Sequence, residues 1–277
     1  MTPRKLTDLS KLSIHTITTK PWSVEEAVEN YARAGVKGIT VWRQALEGRK
    51  PETVGKLIRG CGLTVTGVAR GGFFPAATAR ARQQAVEENR RALEECAALG
   101  APVLVLVCGA LPGQAVQKNL EQIQAGIEAL LPHAESREVK LAIEPLHPMY
   151  ADTRSAIVKI ETANAMCGSI ASPWLGIAVD VYHLWWDPDL EHEIAAAGEA
   201  GRLFCFHICD WKTPLEDLLN DRGLMGEGIC DIRGIRGMME RSGFTGFHEV
   251  EIFSNRWWAA DQHYFLKKIV EAYLAHS

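Results

Sequence analysis

The chain has no basic surplus. Its 30 lysines and arginines face 34 aspartates and glutamates, whereas a protein that grips nucleic-acid phosphates usually carries the opposite balance. It has no CxxC pair, and its seven cysteines are odd in number, several of them inside apolar runs. That spacing argues against a disulfide framework and for free thiols in a reducing compartment, so a cytoplasmic location is expected. It has no long apolar run. The longest, Val103 to Cys108, is far too short to span a bilayer, and the opening MTPRKLTDLSK lacks the apolar segment of a secretory signal. Neither nucleic acid nor membrane is expected as a partner. No low-complexity stretch or Pro/Gly/Ser linker divides the 277 residues, so residues 1–277 are expected to form one domain. No GxGxxG opens the first helix, and the first loop, Thr-Lys-Pro-Trp, has no glycine. A dinucleotide-binding open sheet is disfavoured on that ground.

What is present is alternation. Eight short runs rich in Val, Ile and Leu read as strands: 12–18, 37–42, 63–69, 102–108, 139–145, 175–181, 203–209 and 247–253. Helix-like stretches lie between them. Ser23 to Arg33 opens with a capping box, Ser23 with Glu26. Pro51 to Gly60, Ala79 to Leu99, Gln114 to Leu131, Thr153 to Met166, Leu190 to Ala197, Ile232 to Arg241 and Trp258 to His276 follow. Gly35, Gly100 and Gly243 stand where a helix C-cap glycine belongs. Eight strand–helix units predict a parallel sheet closed into a (β/α)8 TIM barrel.

In such a barrel the chemistry sits at the C-terminal ends of the strands. His15 stands on strand 1. Glu144, then His147, stand on and after strand 5, Asp180 and His183 on and after strand 6. His207 stands on strand 7, followed by Asp210 and Trp211, and Glu249 and Glu251 stand on strand 8. Four consecutive strands thus each carry a carboxylate or an imidazole inside an otherwise apolar run. One such residue alone would read as a barrel ion pair or a satisfied core histidine. Three converging carboxylates would repel and bear a heavy desolvation cost. A divalent cation resolves both difficulties. Oxygen-rich donors with one imidazole suit Mn2+ foremost, with Mg2+, Co2+ or Zn2+ also compatible.

At these residues the sequence resembles the sugar phosphate isomerase/epimerase superfamily, the xylose isomerase-like TIM barrels that include D-tagatose 3-epimerase-like and inosose-handling enzymes. The motifs are LAIEPLHP at 141–148, VDVYH at 179–183, FHICDW at 206–211, DRGLMGEGICD at 221–231 and EVEIFS at 249–254. The resemblance implies Glu144, Asp180, His207 and Glu251 as metal ligands, with Glu144 and Glu251 doubling as acid/base catalysts. It implies His183 and Arg222 as substrate contacts. His147, Asp210, Trp211 and His15 complete the candidate substrate-binding set. The activity implied is a metal-dependent isomerase or epimerase of a sugar, keto-sugar or inosose, working by α-proton abstraction through an enediolate. The alternative is a lyase or dehydratase acting on a 3-keto glycoside or inosose, for example cleaving a C-glycoside with a small partner subunit. A homodimer or homotetramer is the other assembly the resemblance implies. The resemblance does not extend to the three-zinc endonuclease members. Arg70, Cys108 and the trio Asp231-Ile232-Arg233 stand where those enzymes need histidines.

Overall fold

The computed structural model describes residues 5–277. Eight strands pair in parallel in chain order: β1 (Leu12–His15), β2 (Gly38–Trp42), β3 (Thr64–Gly72), β4 (Val103–Val107), β5 (Lys140–Ile143), β6 (Leu175–Asp180), β7 (Leu203–Ile208) and β8 (His248–Val250). β1 also pairs with β8, through Ser13 opposite Glu249, and this closes the barrel. Both faces of each strand are covered, which is why these runs are continuously apolar rather than alternating.

The helices are α1 (Val24–Arg33), α2 (Pro51–Gly60), α3 (Ala79–Leu99), α4 (Val116–Ser136), α5 (Ile160–Ile170), α6 (Val181–Leu184), α7 (Leu190–Glu199), α8 (Ile232–Arg241), α9 (Asn255–Trp258) and α10 (Gln262–His276). Most of the apolar core lies between the strands and these helices, around Ile14, Ile39, Leu104, Ile143, Ile177 and Ile208. The capping box of α1 forms as expected. Ser23 Oγ accepts from the Glu26 amide, and the Glu26 carboxylate accepts from the Ser23 amide at 2.8 Å. α2 lies so close against the end of α3 that a Cβ on Gly55 would stand 2.2 Å from the Leu99 carbonyl oxygen. No helix among the described residues is long and apolar enough to cross a membrane.

The barrel interior is narrower and mixed. Ala69, Ala142, Ala178 and Cys205 fill it beside Val103 and Val105, with Trp42 and Phe253 at the mouth. Small residues are what an eight-stranded barrel has room for.

Several strand and helix ends shift by a few residues, and three helix boundaries differ for identifiable reasons. Helical pattern begins at Thr153, yet α5 starts only at Ile160. Residues before it pair instead with the end of β4: Gly109 donates to the Arg154 carbonyl and accepts from the Ala156 amide. The last helix breaks at residues 259–261, where Asp261 caps a fresh start by accepting from the Tyr264 amide. α4 runs past Pro132 to Ser136 instead of stopping at Leu131.

Candidate metal centre

β5 leads into Glu144, whose amide donates to the Leu106 carbonyl and so continues the barrel ladder past the strand. β6 ends on Asp180. Its partner across the ladder is His207, and His207 in turn pairs with Glu249 on β8. Glu251 is held in the next position by its amide bond to the Ile208 carbonyl. Parallel pairing therefore brings the strand ends to one level, and Glu144, Asp180, His207 and Glu251 converge. Each is buried, and each offers a ligand atom within 4.8 Å of the others.

His207 Nδ1 lies 2.7 Å from Glu144 Oε1. Arg222, from the loop after β7, donates through Nη1 to Glu251 Oε2 at 2.7 Å and to Asp180 Oδ2 at 3.1 Å. Its other nitrogen, Nη2, lies 3.3 Å from His183 Nε2. The guanidinium is sandwiched by the rings of Tyr182 and Phe253. Asp180 also shapes the backbone. Its Oδ1 accepts from the Tyr182 amide and caps α6. That cap turns the chain so that His183 faces Asp180 and Arg222.

His15 closes the ring from β1. Its Nδ1 lies 3.0 Å from Glu251 Oε1 and accepts from the Trp42 indole N–H at 3.1 Å. Glu249 sits one layer deeper. Its Oε2 accepts from the hydroxyls of Thr40 and Thr66, so this carboxylate is already satisfied by the barrel wall.

The charges in this buried cluster are finely set. Burial pushes the Asp180 carboxyl up to about 7, against the pull of Arg222. Burial also pushes Glu251 up, but His15, Arg222 and His207 outweigh it and hold that carboxyl well below the carboxylate range. For His207, burial disfavours the charged ring, yet hydrogen bonds with Cys205 and Glu144 and their surrounding negative charge raise it well above an ordinary imidazole. His183 goes the other way. Burial, then the Arg222 charge, drive it well below 6.5. A neutral His183 can accept from Arg222, consistent with their separation.

The cluster fits a divalent cation. Three carboxylates and an imidazole form an oxygen-rich donor set of the kind that Mn2+, Mg2+ or Co2+ prefers. Arg222 already supplies positive charge to two of these carboxylates, Asp180 and Glu251.

The remaining sequence-derived residues take different stations. His147 accepts from the Met149 amide through Nδ1, and its ring lies 4.7 Å from that of Trp211. Trp211 also meets Tyr182 at 4.8 Å and Trp185 at 5.4 Å, and Trp186 meets His147. These rings pack into one aromatic cluster that joins the segments after β5, β6 and β7. Asp210 is spent on the backbone: it accepts from the amides of Trp211, Gly226 and Cys230. It clamps the 221–231 loop that presents Arg222.

Arg154 and Lys20, not among the sequence candidates, line a cavity of about 550 Å³ at the mouth, with Arg70 and Asn220. Arg70 had one visible signal, a charge at the end of an apolar run. Arg154 had none, because it falls in a stretch patterned like a helix.

The family described as the xylose isomerase-like TIM barrel matches residues 28–269. The chain belongs to that family. A protein of Sinorhizobium meliloti 1021, SMc04130, is 43% identical over 96% of this chain and 98% of its own, with a TM-score of 0.93. The IOLI protein with a binding zinc atom is 18% identical with a TM-score of 0.79, over 95% of this chain and 96% of its own. A D-psicose 3-epimerase solved in the presence of D-fructose is 16% identical with a TM-score of 0.77, over 95% and 96%. No curated protein matches the chain by sequence.

Proposed function

We propose that this protein is a divalent-metal-dependent isomerase or epimerase of a keto-sugar or inosose. The observation that carries the reading is the pairing of two buried glutamates, Glu144 after β5 and Glu251 after β8, in one cluster with Asp180 and His207. β5 and β8 stand three strands apart in an eight-stranded ring, so the glutamates approach a bound substrate from different sides. The neighbours named for zinc and for 3-epimerisation support it at the level of a shared fold.

Glu144, Asp180, His207 and Glu251 would hold a divalent cation, which would supply Lewis acidity toward the substrate carbonyl. One glutamate takes the proton from the carbon beside the carbonyl. The other returns a proton to the opposite face, and the centre is inverted. Return to the neighbouring carbon instead exchanges ketose and aldose. Arg222 and the neutral His183 orient substrate oxygens. The aromatic cluster of Trp211, His147 and Tyr182 excludes water, which strengthens every polar contact inside. Inversion is favoured over the β-elimination alternative by the epimerase among the structural neighbours.

The test is a panel of ketoses, inososes and 3-keto glycosides, incubated with the Mn2+-loaded protein and followed by NMR. An epimer or an aldose is the expected product. A released aglycone or a dehydrated product in its place would overturn the proposal.

A further inference from the structure

The mouth cavity of about 550 Å³ lies beside the four candidate ligands and is lined by none of them. No aspartate or glutamate lines it either, while Lys20, Arg49, Arg70 and Arg154 do. Arg49 is paired outward with Glu25, and Lys20 lies over the Trp258 ring at 4.6 Å. The two others differ. Arg70, at the end of β3, lies over the rings of Phe73 at 4.5 Å and Trp42 at 5.8 Å. Its Nε and Nη1 are buried with no hydrogen-bond partner among the described residues. Arg154 lies over the Tyr150 ring at 5.5 Å and has no carboxylate partner among the described residues. The two guanidiniums repel one another across the cavity. Burial and that repulsion pull Arg70 down only to about 10, so it is still cationic at neutral pH.

Buried guanidinium donors are ordinarily hydrogen-bonded, and two unpartnered ones facing a polar cavity are costly to keep. A planar, forked donor set held beside aromatic rings matches an oxyanion in two-point contact. Arg70 also feels the charges of Glu144 and Glu251. An anion on Arg70 therefore lies within the electrostatic reach of those glutamates.

We propose that Arg70 and Arg154 form an anion subsite, so that the substrate is an acidic carbohydrate bearing a carboxylate or a phosphate. The link to the reacting carbon rests on the function proposed above; the subsite itself does not. A neutral sugar leaves the Arg70 donors unpaired, and the pocket discriminates against it for that reason.

Binding is measured by calorimetry on the full-length, Mn2+-loaded protein with three probes: D-glucose, D-glucuronate and D-glucose 6-phosphate. At least one acidic probe is expected to bind about 30-fold or more tightly than D-glucose, the size of effect a buried charge pair gives when one partner is removed. Which acid wins tells carboxylate from phosphate. Arg70→Met and Arg154→Met each abolish the preference, while Arg70→Lys restores part of it. Should Arg70→Met fail to fold, Arg70→Lys and Arg154→Met carry the comparison. Equal affinity for all three probes, or a preference untouched by every variant, overturns the subsite. Its failure is distinguishable from failure of the proposed chemistry. Turnover of neutral ketoses with no acid preference removes the subsite alone. Arginine-dependent acid binding with no turnover of any ketose, inosose or acidic sugar removes the chemistry alone.

Discussion

Metal binding at this site must expel protons, and the direction of its pH dependence follows from the cluster. His207 is held above the ordinary imidazole value by Glu144 and its neighbours, with 2.7 Å between Nδ1 and Oε1. Asp180 is pushed up to about 7 by burial. A cation needs the imidazole neutral and the carboxylate ionised. Below about pH 7 the Asp180 proton must therefore leave, and any proton that His207 holds leaves with it. Each proton displaced tightens binding about tenfold per pH unit, so Mn2+ affinity should rise by about tenfold or more from pH 5.5 to 6.5 and less steeply above the Asp180 value of about 7. The stability of the metal-free fold moves in the opposite sense. Both groups hold protons more tightly folded than unfolded. Their contribution is therefore kept below their unfolded values, 3.8 and 6.5, and lost as pH rises through the folded ones. The rise in Tm on adding Mn2+ should accordingly grow between pH 6 and 8. Titration calorimetry in buffers of different ionisation heat counts the protons directly. Asp180→Asn should remove one of them. An affinity independent of pH across this range would refute the reasoning.

Three further outcomes test other parts of the structure. Burial drives His248 down to about 3, so it is neutral when folded and costs stability as pH falls from 6.5 toward 3, by about 1.4 kcal/mol per pH unit. Thermal melts of His248→Gln between pH 6.5 and 5 should show a flatter slope than wild type; parallel slopes would contradict this. Gly55→Ala drives a methyl into the Leu99 carbonyl and should cost about 2 kcal/mol in denaturant unfolding; an unchanged midpoint would mean that α2 and α3 are not so close. Asp210→Ala strips three backbone amides of their acceptor and should cost about 3 kcal/mol, with faster amide exchange at Gly226 and Cys230. Unaltered exchange with weaker substrate binding would make Asp210 a substrate contact instead.

The barrel and its four converging side chains were legible because they break a pattern. A strand covered on both faces reads as unbroken Val, Ile and Leu. Glu144, Asp180, His207 and Glu251 interrupt four such runs near the same end. Ala79–Leu99 and Ile232–Arg241 were readable to the residue, since apolar periodicity and a following glycine agree on where the helix stops. The loops were less legible, because their shapes depend on partners far along the chain. Arg222 resembles a substrate contact in sequence. Its ion pairs with Asp180 and Glu251 exist only once β6, β8 and the 221–231 loop meet. Asp210 looks like one more strand-end acid, and nothing local says that its oxygens are taken by amides up to 20 residues away. Arg154 sits in helical pattern that the bridge to Gly109 overrides. Trp185 and Trp186 found their station through Trp211 and His147, again across loops.

The central claim is that Glu144 and Glu251 move a proton at carbon beside a bound cation. The direct measurement is deuterium incorporation at the carbons flanking the carbonyl of a turned-over substrate in D2O. Mn2+-loaded wild type should wash deuterium in, metal-stripped protein should not, and Glu144→Gln and Glu251→Gln should each slow exchange by about 100-fold or more. Full exchange retained in both glutamine variants would contradict the account.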